Sequence, residues 1–288
     1  MPELPEVEVV KRSLEKNIRS FTIKDVQIND PNLRYKVKKR EINQIIGLKL
    51  LNIKRRGKYL LFFFTKEFVM IAHLGMTGKF LISNQNKIKK TSFYYNLKDI
   101  KDEKHNHIIF IFKNKTKLIY NDIRKFGFIK FDKIYRYKKN SHLAILGPEP
   151  LTDKFNYKYF KHYIEGKNKV VKDLLMDQKF VAGLGNIYVN EILFLSLIRP
   201  TKIISKLKKY EIEKILKNTK KILKKAISLG GSSIRNFLNS GGISGSYQQH
   251  FYIYGKKGKY CSNADCKKKI VKITLSNRAS FYCPRCQK

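Results

Sequence analysis

The sequence predicts an α+β protein in which a strand-rich part is followed by a helical part and a small cysteine-bearing ribbon. Residues 20 to about 135 are rich in β-branched and aromatic residues with Gly, Asn and charged breaks, which is typical of several short strands. Residues 152–230 carry apolar positions at helical spacing instead. All four cysteines lie between residues 261 and 288. The 288 residues are enough for two domains with sizeable cores.

The first residues, MPELPEVE, predict the start of an amphipathic helix. Proline costs no hydrogen bond in a first helical turn, and the acidic Glu3 and Glu6 suit the positive end of the helix dipole. A chemical interpretation stays open beside this structural one. If the initiator methionine is removed, Pro2 becomes a free secondary amine at the end of the chain. The helix itself is predicted from apolar residues that recur with its period: Leu4, Val7, Val10, Leu14 and Ile18.

The strand-rich part contains four stretches that predict strands. Their number and spacing favour a sandwich or a barrel over a wound parallel sheet. The pattern breaks at 135–151, where Pro148 and Pro150 predict an inter-domain linker. The four stretches are LKLLNIKRRGKYLLFFF, FVMIAHLGMTGKFLIS, HNHIIFIFKN and KLIYNDIRKFGFIKFD.

The helical part contains four segments with apolar stripes, and Gly230–Gly231 is predicted to end the last of them. A loop rich in Gly and Ser follows at 230–249, and short strands around the cysteines follow from residue 250. The four segments are KYFKHYIEGK, KVVKDLLMDQK, NIYVNEILFLSLI and KYEIEKILKNTKKILKKAISL.

The charge of the chain indicates a polyanionic partner. Lys and Arg number 62 against 22 Asp and Glu, a formal net charge of +40. Drift toward lysine codons is the alternative, because 50 of these cations are lysines and only 12 are arginines. Arginines that persist in such a chain are candidates for sites that need a planar fork, above all Arg124, Arg235 and Arg278.

The sequence carries no sign of export or of membrane insertion. The chain opens without the basic and apolar segments of a secretory signal, and its longest apolar run, YLLFFF at 59–64, is too short to cross a bilayer. Four clustered cysteines suit a metal site in a reducing compartment. We therefore expect a cytoplasmic protein.

The cysteines predict one structural zinc site. Cys261 and Cys266 form C-x4-C, and Cys283 and Cys286 form C-x2-C after sixteen further residues. Two such pairs supply the four thiolates that tetrahedral Zn²⁺ prefers. Free cysteine pairs or two disulfides are the alternative. The intervening residues predict a β-hairpin with Arg278 near its tip.

A glycine-rich turn, VAGLGNIYVNE at 181–191, predicts a phosphate contact. Gly183 and Gly185 precede a helix predicted to start near Asn186, where backbone N–H groups and the helix dipole favour an anion. Such turns often only connect helices. The charge of the chain and the adjacent predicted zinc ribbon favour phosphate binding here.

Seven short motifs together resemble the bacterial formamidopyrimidine-DNA glycosylases, which excise oxidised purines such as 8-oxoguanine from DNA. Each motif is short, but their order and spacing run nearly end to end. Leu4 favours this branch over the related endonuclease VIII branch, which usually opens PEGPE. The motifs are PELPEVE, GKYLL at 57–61, HLGMTG at 73–78, NDIRKFG at 121–127, LGPEPL at 146–151, GLGNIY at 183–188 and the terminal cysteines.

The resemblance implies an N-terminal β-sandwich with a flanking helix, then a helix-two-turn-helix domain and a C-terminal zinc β-ribbon. The implied divisions are a catalytic domain at 2–134, a linker at 135–151, a helix-two-turn-helix domain with a lesion-capping loop at 152–249, and the ribbon at 250–288.

The resemblance also implies catalytic roles. Pro2 is the nucleophile that forms a Schiff base with the deoxyribose, Glu3 is the proton donor, and Glu6 supports the amine. Lys58 and Arg278 are implied as the proton donors for β-elimination and δ-elimination. For Glu6 the alternative is that it mainly stabilises the helix start. Glu8 is expected on the helix surface.

Further residues match the DNA contacts of the family. Met76, Arg124 and Phe126 match side chains that fill the gap left by an everted base, with core packing as the alternative for Met76 and Phe126. The loop at 235–249 corresponds to the segment that closes over that base. Phosphate contacts are implied for His73, Lys172, Asn186, Arg278 and Tyr254.

The sequence thus predicts a bifunctional glycosylase and abasic-site lyase that acts, as a monomer with one zinc ion, on double-stranded DNA containing oxidised bases. An endonuclease VIII-like enzyme for oxidised pyrimidines is the nearest alternative. A DNA-binding protein that has lost its chemistry is the alternative from another class. It is disfavoured because Pro2, Glu3 and Lys58 are all present.

Overall fold

The chain forms two compact units. The computed structural model describes residues 1–84, 87–91, 103–232 and 247–288. One unit contains Met1–Ala144 together with Leu229–Ser246, of which the structure describes residues 229–232. The other contains Ile145–Ser228 and Tyr247–Lys288.

In the first unit, a long helix precedes two antiparallel sheets. The five-stranded sheet has the strand order β1-β7-β8-β5-β6, and the four-stranded sheet has the order β2-β3-β4-β9. The elements are α1 (Leu4–Ile18), β1 (Ile23–Ile28), α2 (Lys39–Asn43), β2 (Leu50–Arg56), β3 (Tyr59–Phe64), β4 (Phe68–His73), β5 (Lys79–Asn84), β6 (Lys87–Lys90), β7 (Asn106–Phe112), β8 (Lys117–Asn121), β9 (Phe128–Lys133) and α3 (Ser141–Ala144).

The two sheets and α1 share one core, so the sandwich interpretation is confirmed, and the described strands do not close into a barrel. Phe62 of β3 packs edge-on against Phe80 of β5, with ring centroids 5.4 Å apart, and this contact joins the two sheets. The five apolar residues that predicted α1 are each at most 1% exposed. Burying a side chain of this kind stabilises a fold by about 1.5–3 kcal/mol. The apolar stripe therefore fixes the helix against the sandwich.

The part between residues 20 and 135 consists mainly of strands, as predicted, with one short α-helix among them. Residues Lys39–Asn43 form α2, whose only buried side chain is that of Ile42. One apolar residue among charged neighbours gives no periodic pattern, so the sequence does not predict this helix. Tertiary contact of Ile42 with the sandwich core decides the conformation instead.

The hairpin of β2 and β3 places Lys58 at a tight turn. Arg56 pairs with Tyr59, so Gly57 and Lys58 alone connect the strands. Gly57 has φ +56°, a backbone conformation that residues other than glycine rarely adopt. The position of Lys58 is therefore fixed by the strand register and by the glycine before it.

The second unit is built on four helices at the predicted segments. They are α4 (Tyr157–Ile164), α5 (Val171–Met176), α6 (Asn186–Leu195) and α7 (Lys209–Ser228). Helix α6 begins at the predicted Asn186, and its residues from Ile187 to Phe194 are all buried. Gly230 and Gly231 follow α7 with φ +77° and +80°, as expected of residues that end a helix. Among the described residues, no helix has both the length and the apolar character needed to cross a membrane.

The predicted ribbon is present as a hairpin of β10 (Val271–Leu275) and β11 (Arg278–Tyr282). Its two-residue turn, Ser276 and Asn277, has positive φ at both positions, as a type I′ turn requires. Arg278 is the first residue after this turn, so its predicted place near the tip is confirmed. The N–H of Phe281 donates to Asn190 Oδ1 of α6 at 2.7 Å, which holds the ribbon on the helix.

A fully buried carboxylate of α6 holds the segment that leads into the ribbon. Glu191 accepts hydrogen bonds from the backbone N–H groups of Tyr252, Ile253 and Tyr254 at 2.7–3.0 Å. Burial raises the pKa of Glu191, and these three donors act in the opposite direction. The carboxylate of Glu191 therefore supplies the hydrogen-bond acceptors for backbone N–H groups that lie outside any helix or strand.

We expect Glu191→Ala to lower the free energy of unfolding by about 3 kcal/mol, because three buried N–H groups would lose their acceptor. Urea denaturation followed by circular dichroism measures the change. Glu213→Ala, on the exposed face of α7, is the matched control and should change stability by less than about 0.5 kcal/mol. Equal losses in the two variants would contradict this account of Glu191.

Candidate functional site

The amino-terminal end of the chain lies among four charged side chains. Burial lowers the pKa of the Met1 α-amino group. Glu3 and Glu6 raise that pKa, whereas Lys58 and Arg124 lower it, so all four lie within electrostatic range of the amine. The net direction is downward, which favours the neutral form of an amine at this place. The structure therefore brings together most of the residues that the sequence implied for catalysis.

The start of α1 is closed by the side chain of Glu6. The N–H of Glu3 donates to Glu6 Oε2 at 2.9 Å, one arm of a capping box. Both glutamates are buried, at 3% and 1% exposure, while the neighbouring Pro2 is buried as well. Glu6 thus caps the helix start, the role named as the alternative for it, while its support of the amine stays a prediction.

The second oxygen of Glu6 binds a residue more than two hundred positions away. The N–H and the hydroxyl of Ser232 both donate to Glu6 Oε1 at 2.9 Å. Gly231 makes this approach possible: a Cβ on it would lie 3.1 Å from Glu6 Oε1, and its φ is +80°. Glu6 therefore joins the start of α1 to the residues directly before the 233–246 segment. The predicted lesion-capping loop and Arg235 fall largely within that segment, which lies outside the described residues.

Glu8 is more than a surface residue of α1, contrary to the sequence prediction. Its carboxylate accepts from Arg55 at 2.9 Å and from Arg12 at 2.9 Å. Burial acts to raise the pKa of Glu8, but the hydrogen bonds from the two arginines lower it overall. Arg55 also donates to the carbonyl of Gly57 at 3.0 Å. This ion pair ties α1 to the hairpin that carries Lys58, which is itself only 6% exposed.

His73, at the end of β4, is held as a neutral ring. The N–H of Gly75 donates to His73 Nδ1 at 3.1 Å, so the other ring nitrogen carries the proton. Burial lowers the pKa of His73 to about 3, with the charges of Lys58, Arg34 and His142 acting in the same direction. The ring stacks on Phe128 with centroids 5.6 Å apart. His73 can therefore donate one hydrogen bond from Nε2 without carrying a charge.

The three residues implied to fill a gap in DNA lie exposed on the first unit. Met76 is 38% exposed and Phe126 is 45% exposed, which excludes core packing for both. The guanidinium of Arg124 lies over the ring of Phe126, 4.6 Å from its centroid. Exposed apolar side chains beside an arginine are typical of a surface that receives a partner.

In the second unit, Lys172 and Asn186 meet the strand that carries Arg278. Lys172 Nζ and Asn186 Nδ2 each donate to the carbonyl of Ala279 at 3.0 Å. Lys172 also donates to Ser280 Oγ at 2.5 Å and is 1% exposed. The ammonium of Lys172 therefore faces the ribbon and not the surface. These two acceptors tie Lys172 to the ribbon, and its implied phosphate contact stays a prediction.

The glycine-rich turn before α6 is held by a glutamine. The N–H of Gly183 donates to Gln178 Oε1 at 2.8 Å, and Gln178 Nε2 donates to the carbonyl of Leu184 at 2.8 Å. Asn186, the first residue of α6, follows directly. Tyr254 is half-buried, with its ring 5.3 Å from that of Phe281 in the ribbon. These contacts gather the implied phosphate-binding residues of this unit around the ribbon.

The four cysteines form one cluster that could hold a metal ion. Their sulfur atoms all lie within 4.8 Å of one another. The Sγ atoms of Cys261 and Cys286 are 3.9 Å apart, and those of Cys266 and Cys283 are 3.6 Å apart. All four are free thiols, so the disulfide alternative is not formed. Tetrahedral Zn²⁺ with Zn–S distances of about 2.3 Å places its sulfur ligands about 3.8 Å apart, which fits this cluster.

Sequence reasoning missed Ser232, Arg55 and the pair Thr77 and Asp122. The Thr77 hydroxyl donates to Asp122 Oδ1 at 2.5 Å, between the loops that carry Met76 and Arg124. None of these residues stands in a spacing that predicts chemistry. Thr77 and Asp122 do lie inside the HLGMTG and NDIRKFG motifs, which was the available signal.

Comparison with known proteins gives consistent results along the whole chain. Residues 1–129 match the formamidopyrimidine-DNA glycosylase N-terminal domain, and residues 146–238 match the formamidopyrimidine-DNA glycosylase H2TH domain. The chain is 36% identical over 291 residues to a formamidopyrimidine-DNA glycosylase of Rickettsia canadensis, covering 100% of this chain and 99% of the relative. It is 38% identical over 288 residues to that of Rickettsia bellii, covering 100% of both chains.

Solved structures of a similar protein contain DNA. The Lactococcus lactis Fpg in complex with DNA that contains an abasic site matches with a TM-score of 0.86 and 35% identity, over 99% of each chain. A point variant of the Lactococcus lactis protein in complex with Fapy-dG containing DNA also matches with a TM-score of 0.86 and 35% identity, over 100% of each chain.

The depressed pKa of His73 gives a pH-dependent stability. The folded-state pKa of about 3 lies below the ordinary 6.5, so the unfolded chain binds the extra proton and stability falls as pH drops below 6.5. Replacing His73 by Gln removes this titration and keeps a donor group. We expect the stability lost between pH 7 and pH 4.5 to be about 2 kcal/mol smaller in His73→Gln, measured by urea denaturation at both pH values.

His162→Gln is the control for this experiment, because the side chain of His162 is 86% exposed. This variant should keep the pH dependence of the unchanged protein. An unchanged pH dependence in His73→Gln would show that His73 does not titrate as described.

Proposed function

The chain belongs to the formamidopyrimidine-DNA glycosylase family, and from this premise we propose how its residues carry out the reaction. The protein is a DNA glycosylase with abasic-site lyase activity that acts in base excision repair of oxidised purines. The observation that supports the assignment of residues is the amino-terminal amine. It has a lowered pKa and lies among Glu3, Glu6, Lys58 and Arg124.

The nucleophile is the nitrogen of Pro2, once Met1 has been removed. A neutral secondary amine attacks C1′ of the damaged nucleotide, and the bond from C1′ to the base breaks with the electron pair leaving on the base. Loss of the amine proton and opening of the C1′–O4′ bond then leave an iminium ion. Burial and the charges of Lys58 and Arg124, which lower the pKa of the amine in the unprocessed chain, act at the adjacent position as well. With Met1 in place, the Pro2 nitrogen is an amide and cannot react.

Glu3 and Glu6 divide the acid–base and positioning roles. Glu3 protonates the ring oxygen of the sugar and assists ring opening. Glu6 supports the amine from a fixed position, because both of its oxygens accept hydrogen bonds, from Glu3 and from Ser232. The geometry of the amine thus depends on a carboxylate that is itself anchored twice.

Strand cleavage follows from the iminium ion, which acidifies the protons beside it. Loss of the 3′ phosphate and then of the 5′ phosphate gives β,δ-elimination. Lys58, on its tight hairpin, and Arg278, at the ribbon tip, supply the protons for the two steps. The Glu8–Arg55 ion pair keeps the Lys58 hairpin on α1, and hence near the amine.

Lesion access requires that the damaged nucleotide leave the duplex, which costs a few kcal/mol of unstacking. Met76 and Phe126 fill the gap with apolar surface, and Arg124 donates hydrogen bonds to the unpaired cytosine. Their exposure supports this role. The phosphates around the everted nucleotide are bound by His73, Asn186, Arg278 and Tyr254, with Lys172 holding the ribbon beneath them.

The cysteine cluster would hold one zinc ion through Cys261, Cys266, Cys283 and Cys286. Four thiolates leave no open position on a tetrahedral ion, so its role would be structural. The ribbon that it stabilises carries Arg278. We further propose that the protein works as a monomer on double-stranded DNA in the cytoplasm.

Borohydride trapping tests the nucleophile. Protein whose amino terminus has been verified by mass is mixed with a duplex carrying 8-oxoguanine opposite cytosine. We expect a covalent adduct that peptide mass spectrometry locates on the fragment from Pro2 to Lys11. In Pro2→Gly the adduct should fall at least about tenfold, because the secondary amine is lost.

An adduct on a lysine peptide would contradict the assignment of Pro2.

Lys58→Gln is a second variant, expected to slow strand cleavage about a hundredfold through loss of a general acid. Lys54→Gln is its control, because Lys54 is exposed on the neighbouring strand β2. No adduct with any oxidised purine would contradict the purine-specific lyase. Duplexes with oxidised pyrimidines would then test the endonuclease VIII-like alternative, and failure there too would leave the DNA-binding protein that has lost its chemistry.

Zinc binding is tested by elemental analysis. We expect about one zinc ion per chain in the unchanged protein and less than about a fifth of that in Cys283→Ser, with a matching loss of ribbon stability. Ser262→Ala, an exposed residue between Cys261 and Cys266, should keep its zinc. Full zinc content in Cys283→Ser would contradict a four-cysteine site.

A further inference from the structure

Two neighbouring loops of the first unit are joined by one threonine. The Thr77 hydroxyl donates to Asp122 Oδ1 at 2.5 Å and accepts from the N–H of Arg124 at 3.0 Å. Thr77 follows Met76 directly in the chain, while Arg124 lies in the loop between β8 and β9. A single hydroxyl thus connects the loop that carries Met76 with the loop that carries Arg124.

Asp122 is the buried partner on the other side of this link. It is 0% exposed, and its second oxygen, Oδ2, accepts from the N–H of Gly127 at 2.8 Å. Its carbonyl accepts from His107 Nε2 at 2.8 Å, and His107 is 1% exposed. The carboxylate of Asp122 therefore connects the two ends of the loop 122–127, and His107 of β7 binds the Asp122 backbone.

The two loops also touch through glycines that admit no side chain. A Cβ on Gly75 would lie 2.4 Å from the N–H nitrogen of Gly127. A Cβ on Gly127 would lie 1.9 Å from the hydroxyl of Tyr120 and 2.6 Å from the carbonyl of His73. Contacts this close leave the loops no room to move independently.

We propose that Thr77 and Asp122 are positioning residues that hold loops 74–78 and 122–127 as one rigid wedge. This inference rests on the proposed roles of Met76, Arg124 and Phe126 in DNA. The wedge presents all three side chains in a fixed relation before DNA arrives. Arg124 is oriented from its own backbone N–H, which Thr77 holds, so the readout of the unpaired base depends on a residue that touches no base.

The wedge has a distinct functional signature. Loss of the Thr77 hydroxyl removes the acceptor of the Arg124 backbone N–H, so the guanidinium is no longer held in a fixed position toward the base opposite the lesion. Phosphate binding uses other residues and is unaffected. Discrimination between cytosine and adenine opposite the lesion should therefore fall, while the affinity for an undamaged duplex stays the same.

The test compares Thr77→Val with Thr77→Ser. Valine keeps the size of threonine but has no hydroxyl, whereas serine keeps the hydroxyl. The readout is the ratio of kcat/KM for 8-oxoguanine opposite cytosine to that opposite adenine. We expect Thr77→Val to lower this ratio roughly fivefold to tenfold, because the hydroxyl's bonds to Asp122 and to the Arg124 N–H are both lost. Thr77→Ser should keep the ratio of the unchanged protein.

Two further variants separate the wedge from general destabilisation. Thr219→Val removes a buried hydroxyl that donates to the Ile215 carbonyl at 2.7 Å in α7, and it should leave the ratio unchanged. In Asp122→Asn the remaining side-chain oxygen can still accept from the Thr77 hydroxyl, but the acceptor for the Gly127 N–H is replaced by an NH₂ group. If Thr77→Val does not fold, the comparison of Asp122→Asn with Thr77→Ser carries the test.

Arg124→Ala distinguishes the failure of the wedge from the failure of the proposed function. A lowered ratio in Arg124→Ala with an unchanged ratio in folded Thr77→Val would overturn the wedge and leave the role of Arg124 intact. An unchanged ratio in both variants would overturn the two together. A lowered ratio in both, rescued by Thr77→Ser, would support the wedge.

Discussion

The buried carboxylate of Glu6 is the constraint on which the candidate site depends. Removing a charged group from water is costly, and it is tolerated here because three donors meet its two oxygens. One donor belongs to the start of α1, and the other two belong to Ser232. The amine end of the chain and the residues before the 233–246 segment therefore share a single anchor. Glu3 and Pro2 lie where they do because this anchor fixes the first turn of the helix.

Features with a local period were predictable from the sequence. Helix α1 was predicted because its apolar stripe repeats at 3.6 residues, and α6 because a glycine turn precedes Asn186. The Cys pairs predicted a cluster because their spacing is a property of short segments. The proposed catalytic residues were indicated only by the family resemblance, because proline and glutamate at a helix start also have a structural explanation.

Contacts between distant positions were not predictable in the same way. The bond from Ser232 to Glu6 joins residues 226 positions apart, and no periodicity records it. The burial of Lys172 against the ribbon was unpredictable for a related reason. A lysine in a basic chain suggests a surface charge, whereas its partners, Ala279 and Ser280, become neighbours only when the ribbon folds back on α5. Burial of a cation depends on acceptors that the sequence does not place beside it.

The exposure of Met76 has a chemical consequence for a protein that repairs oxidative damage. Met76 is 38% exposed and lies on the surface proposed to enter DNA. Oxidants that convert guanine to 8-oxoguanine also convert accessible methionine to the sulfoxide, which is polar and larger. By contrast, Met70 in the sandwich core is 1% exposed and protected. The proposed wedge thus carries a methionine exposed to the oxidants that create the substrate, and reduction of its sulfoxide would restore the apolar side chain.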